Sequence, residues 1–223
     1  MKLDILFEDD WLVAVNKPVR LPVHATHDPL RPHLQGLLEN QLGKKLVLFH
    51  RLDVDTTGVV LLGKNPTINK AMTDAFRDRS ITKKYLVGVE GFWPAKTTKI
   101  EGYIKKISGG RWVFESRGKS TEYSVTDFEF IEKAGDKSLL WAKPQTGRTH
   151  QIRLHCQSEG HSVVGDPLYG VKDIRGLPLA LHAFQLELIH PVLNSSLTIR
   201  APVWDFWKSF GFKDIQKLES SNQ

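Results

Sequence analysis

Short apolar segments alternate with polar turns along most of the chain. Apolar residues 3–7 and 11–15 flank three consecutive acidic residues, a pattern that predicts a β-hairpin. Similar segments, which are rich in β-branched residues or alternate between apolar and polar positions, predict further strands. These segments are residues 59–64, 83–91, 121–131, 138–144, 179–191 and 196–203.

Two helices are predicted in the first third of the chain. Residues 33–42 carry leucines at helical spacing, and Gly43 is well placed to end that helix. Asn65 followed by Pro66 provides an N-cap and a first helical position for residues 66–79. Both predictions combine a periodic apolar face with a recognisable helix end.

Two further helices are predicted, but strands outnumber helices. Thr149 is the expected N-cap of the third helix and Gly160 its end, and residues 204–212 begin a fourth. Because the strands occur in consecutive runs, the pattern favours an α+β fold with a mostly antiparallel sheet over a doubly wound fold. No linker is recognisable, and we therefore expect a single domain over residues 1–223.

Composition adds limits on compartment and partners. A share of 40% hydrophobic and 25% charged residues is typical of a globular chain. The net charge of +6 favours an anionic partner such as nucleic acid, and a merely basic protein has about equal weight on composition alone. The single cysteine, Cys156, excludes an internal disulfide, and no signal peptide or membrane span is recognisable. We therefore expect a cytoplasmic protein.

The segment HRLDVDTTG, residues 50–58, places charged side chains between two apolar runs. A carboxylate such as Asp53 is costly to bury in a loop unless a cation or several donors meet it. Threonine hydroxyls can supply donors, and Gly58 permits a backbone conformation closed to other residues. The alternative is an Asx-type turn with solvated charges. A metal site is disfavoured because the spacing of a calcium loop is absent.

Residues 145–155 gather basic side chains around the predicted start of the third helix. Arg153 lies one turn inside this helix, and arginine suits a buried ion pair because its forked donors stay charged. The alternative interpretation, a basic helix face exposed to solvent, has about equal weight from this segment alone. Tyr85 begins a predicted strand, where a tyrosine is by spacing alone more often a core aromatic than a functional residue.

The sequence motifs of several common enzyme classes are absent: GxSxG, GxGxxG, GxxxxGK[ST] and HExxH. What remains is a candidate nucleophilic carboxylate, an arginine partner, an aromatic side chain and a basic surface. A carboxylate nucleophile suits chemistry at a sugar carbon, and a tyrosine can stack on a base. These features point to chemistry at the glycosidic bond of a nucleotide.

The chain resembles the RluA family of RNA pseudouridine synthases along nearly its whole length. VAVNKP resembles the first motif of the family, HRLDVDTTG its catalytic loop, KKYLVGVEG the segment with the active-site tyrosine, and TGRTHQIRLH its third motif. GHSVVGDPLYG and LHAFQLELIHP resemble the segments that follow. The motifs occur in the order that the family has.

This resemblance implies a reaction and roles for particular residues. Asp53 becomes the catalytic aspartate, Arg153 its ion-pair partner, and Tyr85 the aromatic that stacks on the target uracil. Arg51 is expected to enter the RNA and help hold the flipped-out uridine. The implied reaction detaches uracil from ribose, turns it and rejoins it through carbon, with no cofactor and no metal.

Other residues in the matching motifs receive supporting roles from the same resemblance. Some face the RNA, and others shape the loop or pack within the site. The implied RNA-binding residues are His50, Lys84, Arg148 and His150, and the implied structural supports are Thr56, Thr57, Gly58 and Val164.

Two positions depart from the family pattern. Thr57 stands where the family usually has serine, so a hydroxyl is kept with one extra methyl group. Arg20 stands where glycine usually follows NKPx, which replaces the residue best suited to the local turn and adds a candidate phosphate contact.

The resemblance also implies a fold and a partner. The pseudouridine synthase fold has a mostly antiparallel mixed central sheet, flanking helices and a catalytic cleft. The expected partner is transfer RNA, large-subunit ribosomal RNA or both, bound by a monomer. Since no amino-terminal S4 domain is recognisable, a basic hairpin at residues 105–119 is expected to help select the RNA. The alternative is an RNA-binding or RNA-chaperone protein of the same fold with little catalysis.

Overall fold

The computed structural model describes residues 1–107, 111–118, 122–170 and 176–215. The chain divides into two compact units. The first unit comprises Met1–Lys83 and His182–Pro202, and the second comprises Lys84–Leu181 and Val203–Gln223. The expectation of a single domain over the whole chain stays a prediction.

Strands predominate among the described elements. The α-helices are α1 (Leu34–Leu42), α2 (Asn69–Arg77) and α3 (Gln151–Ser158), and Pro66–Ile68 and Asp205–Phe210 form 3-10 helices. The strands are β1 (Asp4–Glu8), β2 (Leu12–Lys17), β3 (Val47–Leu48), β4 (Thr57–Gly63), β5 (Thr82–Glu90), β6 (Thr97–Lys106), β7 (Trp112–Glu115), β8 (Tyr123–Ala134), β9 (Lys137–Pro144), β10 (Leu181–Ile189) and β11 (Ser196–Arg200).

The first unit is built on two fully buried strands, β2 and β4, which pair antiparallel. The strand β1 pairs with β2 as the predicted hairpin, and β3 and β10 pair with β4. The β4–β10 pair is parallel, and β11 continues antiparallel from β10. Apolar side chains of these strands pack with α2 in one core, which includes Leu12, Leu61, Met72 and Leu186.

The second unit is a run of antiparallel strands in the order β5-β9-β8-β6-β7. Helix α3 packs on this sheet, where Leu154 joins Ile104 and Tyr169 in a buried cluster. The β6–β7 pair confirms the hairpin predicted at residues 105–119, although its residues 108–110 and 119 lie outside the described residues.

The predicted helix ends were correct in two cases. The side chain of His33 caps the start of α1, and Gly43 ends it with a left-handed φ of 63°. The side chain of Asn65 accepts the amide of Thr67, and the predicted helix at residues 66–79 is a 3-10 turn followed by α2.

The prediction that Thr149 caps the third helix was wrong. His150 occupies the N-cap of α3 with φ 56° and makes no capping hydrogen bond through its side chain. The side chain of Gln151 instead accepts the amide of Arg148 at 3.0 Å, which folds the approach to the helix in another way. The helix predicted at residues 204–212 begins with the 3-10 helix Asp205–Phe210.

The α+β fold class, with a mostly antiparallel but mixed sheet and flanking helices, is confirmed by these elements. Across the described ranges, no helix combines the length and the apolar character needed to cross a membrane.

Candidate active site

The loop that contains Asp53 joins β3 to β4 in the first unit and is anchored at its entrance by His50. The Nε2 atom of His50 accepts the amide of Leu61 at 3.0 Å, and the imidazole stacks on Phe76 with a centroid distance of 4.8 Å. Burial, together with the charge of Lys83, lowers the pKa of His50 to about 3. A neutral ring is the form that can accept this hydrogen bond. His50 therefore has an internal role, and its contact with RNA stays a prediction.

A buried lysine, Lys17 at the end of β2, anchors the middle of the same loop. Burial lowers the pKa of Lys17 to about 7, and the charges of Asp55 and Asp53 act in the opposite direction. An ammonium group has three donors, and each has an acceptor here. The Lys17 Nζ donates to the carbonyl oxygens of Pro18 (2.9 Å), Leu21 (2.8 Å) and Val54 (2.8 Å).

The exit of the loop is anchored by Thr57 and Gly58, the first residues of β4. The hydroxyl of Thr57 lies 2.8 Å from Nδ1 of His182 on β10, and both residues are fully buried. Gly58 has φ 108°, and a Cβ atom there would overlap the backbone of Ala183. The strand therefore begins inside the HRLDVDTTG motif, because these polar and glycine residues are packed against a neighbouring strand.

Between these anchors the loop presents its charged residues. Arg51 is exposed, Leu52 is buried, and Asp53 is half-buried. The Asp53 carbonyl accepts the amide of buried Thr56 at 3.2 Å, which closes a tight turn. This arrangement fits a carboxylate held in place on a loop, with an arginine facing solvent beside it. The catalytic role of Asp53 and the RNA contact of Arg51 stay predictions.

In the second unit, Arg153 forms a buried ion pair with Asp166. The guanidinium Nε donates to Oδ2 at 2.8 Å and Nη2 donates to Oδ1 at 2.7 Å, and the two side chains are 3% and 0% exposed. The sequence predicted an ion pair between Arg153 and Asp53, which belong to different units. That pair stays a prediction, and Asp166 is an additional partner that the sequence analysis did not name.

The Asp166 carboxylate binds Arg153 and also fixes the start of the GDPLYG turn. It accepts the amides of Leu168 at 2.9 Å and Tyr169 at 3.0 Å. Burial raises the pKa of Asp166, but the hydrogen bonds and charge of Arg153, together with the two amides, outweigh it and leave the pKa below its ordinary value. Asp166 is therefore held as the anion, and it fixes the direction of the Arg153 side chain.

Two predicted RNA-binding residues beside α3 have partners within the second unit. His150 Nδ1 lies 2.7 Å from the hydroxyl of Tyr169, whose ring stands under the Arg153 guanidinium at 5.0 Å. Arg148 is paired with Glu122 at 2.8 Å, and its Nε donates to the carbonyl of Tyr123 at 3.1 Å. Contact of either residue with RNA stays a prediction.

The segment with Tyr85 is part of β5, where Tyr85 is half-buried and pairs with Ala142 of β9. The ammonium of Lys84 lies over the ring of Trp141, 3.9 Å from its centroid, a cation–π contact that fixes the lysine. Val164 is buried, and its amide donates to the carbonyl of Gly88 on the same strand β5. This contact agrees with a packing role for Val164, which stays a prediction together with the stacking role of Tyr85.

Within the described residues, no group of three or more His, Cys, Asp or Glu side chains is arranged to bind a metal ion. The loop of the first unit offers one half-buried carboxylate, that of Asp53, between its three anchors. A carboxylate held in this way suits nucleophilic or basic catalysis.

Residues 11–158 match the family described as RNA pseudouridylate synthase, and this match covers more than half of the chain. The chain belongs to this family. The predicted resemblance is confirmed, and the matched residues include Asp53, Tyr85 and Arg153 in their expected order.

Curated relatives of this pseudouridylate synthase family member carry related names. Ribosomal large subunit pseudouridine synthase C of Haemophilus influenzae is 35% identical over 97% of this chain and 69% of the relative. The protein of the same name from Yersinia pestis is 36% identical over 89% of this chain and 65% of the relative. Ribosomal large subunit pseudouridine synthase D of Zymomonas mobilis is 32% identical over 89% and 68%. The chain spans about two thirds of the length of these relatives.

Solved structures support the same family. The human RNA pseudouridylate synthase domain containing 1 is 26% identical, with a TM-score of 0.80 and coverage of 99% of this chain and 94% of that chain. The human RNA pseudouridylate synthase domain containing 4 has a TM-score of 0.76 at 26% identity, over 93% and 91%. The predicted pseudouridine synthase fold is therefore confirmed.

Three buried polar residues of this family member were missed as site residues in the sequence. They are Lys17, which closes a fully buried strand, Asp166, which follows two buried valines, and His182, which lies inside an apolar strand. The shared signal was a polar side chain in an apolar segment, where burial demands a partner. The identity of each partner could be found only in the fold.

Proposed function

We propose that this chain isomerises uridine to pseudouridine in large-subunit ribosomal RNA. The observation that carries the proposal is the HRLDVDTTG loop, which holds Asp53 half-buried while His50, Lys17 and Thr57 anchor its entrance, middle and exit. Membership of the pseudouridylate synthase family supports the same activity. A reaction at one sugar carbon requires one carboxylate that is held in a fixed position.

In the proposed reaction, the Asp53 carboxylate acts at the ribose of the target uridine, as a nucleophile or as a base toward the neighbouring carbon. The bond between ribose and the uracil nitrogen breaks, the base turns, and a carbon–carbon bond forms in its place. The proton on that uracil carbon is then lost, and one returns to the nitrogen, so atoms and electrons balance without a redox partner. The ion pair with Asp166 holds the proposed partner of Asp53, Arg153, in a fixed direction.

The target base must leave its stack before the carboxylate can reach the sugar, which costs a few kcal/mol. Stacking on Tyr85 is proposed to recover about 1 to 3 kcal/mol of this cost. Exposed Arg51 is proposed to occupy the space that the base leaves, and phosphate contacts from basic residues add affinity that falls with salt.

Large-subunit ribosomal RNA is the proposed substrate because the relatives in Yersinia pestis and Haemophilus influenzae are named for it. Transfer RNA, the other expected substrate, has no such support among these names. The β6–β7 hairpin and the surface of the catalytic region are proposed to contribute to the choice of site.

The direct test uses large-subunit RNA from a strain that lacks the gene, labelled with tritium at carbon five of uracil. The wild-type protein is expected to release tritium, and Asp53→Asn is expected to release none while it still binds the RNA. The matched control is Asp55→Asn, two residues away on the same loop, which should retain release. Failure of the wild type on both large-subunit and transfer RNA would refute the proposal.

The same assay separates the alternatives. An RNA chaperone would retain its effect on RNA folding in the Asp53→Asn variant, and an enzyme acting on free nucleosides would release uracil into solution. Sequencing of pseudouridine positions with and without the protein then identifies the modified uridine.

A further inference from the structure

The exit of the catalytic loop is held by a chain of buried hydrogen bonds through His182. The hydroxyl of Thr57 lies 2.8 Å from Nδ1 of His182, and Nε2 of the same ring lies 3.1 Å from the carbonyl oxygen of Ala201. All three residues are fully buried. No role at the site has been assigned to His182 or Ala201 by the sequence motifs.

The direction of every hydrogen bond in this chain is set by the Ala201 carbonyl. A carbonyl oxygen can only accept, so Nε2 of His182 must carry the proton. In the neutral ring Nδ1 is then an acceptor, and burial keeps the ring neutral by lowering the pKa of His182 to about 4. The hydroxyl of Thr57 must therefore donate. A residue without a hydroxyl at position 57 would leave a buried acceptor unmatched, which is costly.

The backbone beside Thr57 leaves little room for adjustment. Thr57 pairs with His182 and Gly58 pairs with Ala183 in the parallel β4–β10 ladder. Gly58 lies so close to Ala183 that a Cβ atom would overlap its backbone. The loop exit is thus in close contact with β10, and the hydrogen bond to His182 fixes the side chain of Thr57.

We propose that His182 is a positioning residue for catalysis, which acts by holding the Thr57 hydroxyl and thereby the loop that carries Asp53. This inference rests on the proposed function. Asp53 lies only four residues before Thr57, and its carbonyl is bonded to the amide of Thr56, so movement at the exit is passed directly to the carboxylate. The hydroxyl of Thr57 supplies the donor that this buried imidazole requires.

The first test compares two substitutions at the donor. Thr57→Val keeps the shape of the side chain and removes the hydroxyl, and we expect kcat to fall about tenfold to a hundredfold with KM changed little, as expected when a reacting group is misplaced by a fraction of an ångström. Thr57→Ser restores the donor and should recover most of the lost kcat. Both variants are assayed at a temperature well below the midpoint of their thermal unfolding.

The second test divides the two functions of the imidazole. In His182→Asn the amide oxygen can take the place of Nδ1 and accept from Thr57, whereas in His182→Gln the amide nitrogen can take the place of Nε2 and donate to Ala201. A positioning role predicts a higher kcat for His182→Asn than for His182→Gln. Equal losses of stability with unchanged kcat in both would mean a purely structural histidine.

A third measurement is independent of turnover. Nitrogen NMR of the labelled protein should show His182 with its proton on Nε2, and the amide of Thr56, which donates to the Asp53 carbonyl, should exchange its hydrogen faster in Thr57→Val than in the wild type. A proton on Nδ1, or unchanged hydrogen exchange at the Thr56 amide, would overturn the proposal. If the wild type releases no tritium, the proposed function fails, and these spectra still decide whether His182 positions Asp53.

Discussion

Arg20 adopts a left-handed backbone conformation, with φ 61°, at an exposed position between Pro18 and Leu21, whose carbonyls accept from Lys17. The resemblance to the family predicts glycine there, and Arg20 adopts the left-handed conformation that glycine favours. A side chain in this conformation costs roughly 1 to 2 kcal/mol. Strain of this kind persists where the side chain has a use, and a phosphate contact is the use that its charge suggests.

Arg20→Gly is therefore expected to raise the free energy of unfolding by about 0.5 to 1 kcal/mol, since relief of strain exceeds the added entropy of the unfolded chain. If Arg20 contacts a phosphate, the same variant should bind RNA more weakly and lose about one unit of the salt slope. Urea denaturation and binding at several salt concentrations measure the two effects. Lower stability of Arg20→Gly, together with unchanged RNA binding, would contradict both predictions.

The Arg153–Asp166 pair makes a second prediction at the scale of residues. Asp166→Asn removes the carboxylate that binds two guanidinium nitrogens, and loss of one member of a buried pair costs about 3 to 5 kcal/mol. The matched control is Asp205→Asn, whose carboxylate pairs with Lys208 at an exposed position and whose loss should leave the urea midpoint nearly unchanged. Comparable urea midpoints for the two variants would show that the buried pair is not stabilising.

Residues within a motif could be predicted from the sequence, whereas their distant partners could not. The placement of Asp53 on a loop between buried strands follows from the apolar runs on either side. Thr57 and His182 are separated by 125 positions, and no local pattern relates them. Asp166 is only 13 positions from Arg153, but the intervening turn had to be known before the pair could be recognised.

At the scale of elements, the loop that carries Asp53 depends on the close approach of β4 to β10. Gly58→Ala is expected to destabilise the protein by at least about 2 kcal/mol and to abolish activity, because the new Cβ overlaps Ala183. Gly43→Ala is the matched control, since Gly43 also has a positive φ of 63° but has open space around it. It should cost only about 1 kcal/mol. Equal thermal midpoints for the two variants would argue against a tight contact at Gly58.

Elements with a strong local pattern were predicted well. Apolar runs identified β2 and β4, and leucine spacing with Gly43 identified α1. The start of β4 was missed by two residues because Thr57 and Gly58 look like loop residues but are buried by pairing with β10. The cap of α3 was missed because the side chain of Gln151, rather than that of Thr149, accepts an amide at its start.

At the scale of the whole molecule, buried histidines make stability depend on pH. Burial lowers the pKa of both His155 and His182 to about 4, from 6.5. Between these values the unfolded chain binds protons that the folded chain does not, so stability is lost as pH falls from about 6.5 toward 4. Each histidine should contribute a loss of roughly 2 kcal/mol between pH 7.5 and pH 5.

Urea denaturation at these two pH values checks the prediction. His155→Gln is expected to be less stable than wild type at neutral pH, because the ring bonds Thr126 and Ser124, but to show a shallower decline. His27→Gln, at an exposed position, should retain the full wild-type decline. If the stability of His155→Gln fell as much between the two pH values as that of the wild type, the lowered pKa of His155 would be refuted.

The first unit is assembled from two separate stretches of chain, residues 1–83 and 182–202. A ribosome therefore makes the loop with Asp53 long before it makes His182 and Ala201, which hold the loop exit. A nascent chain can pack β1, β2 and β4 early, but the exit of the Asp53 loop acquires its contacts with His182 and Ala201 only after residue 201 has emerged. Chains arrested before and after that residue should therefore differ in protease protection at residues 50–58.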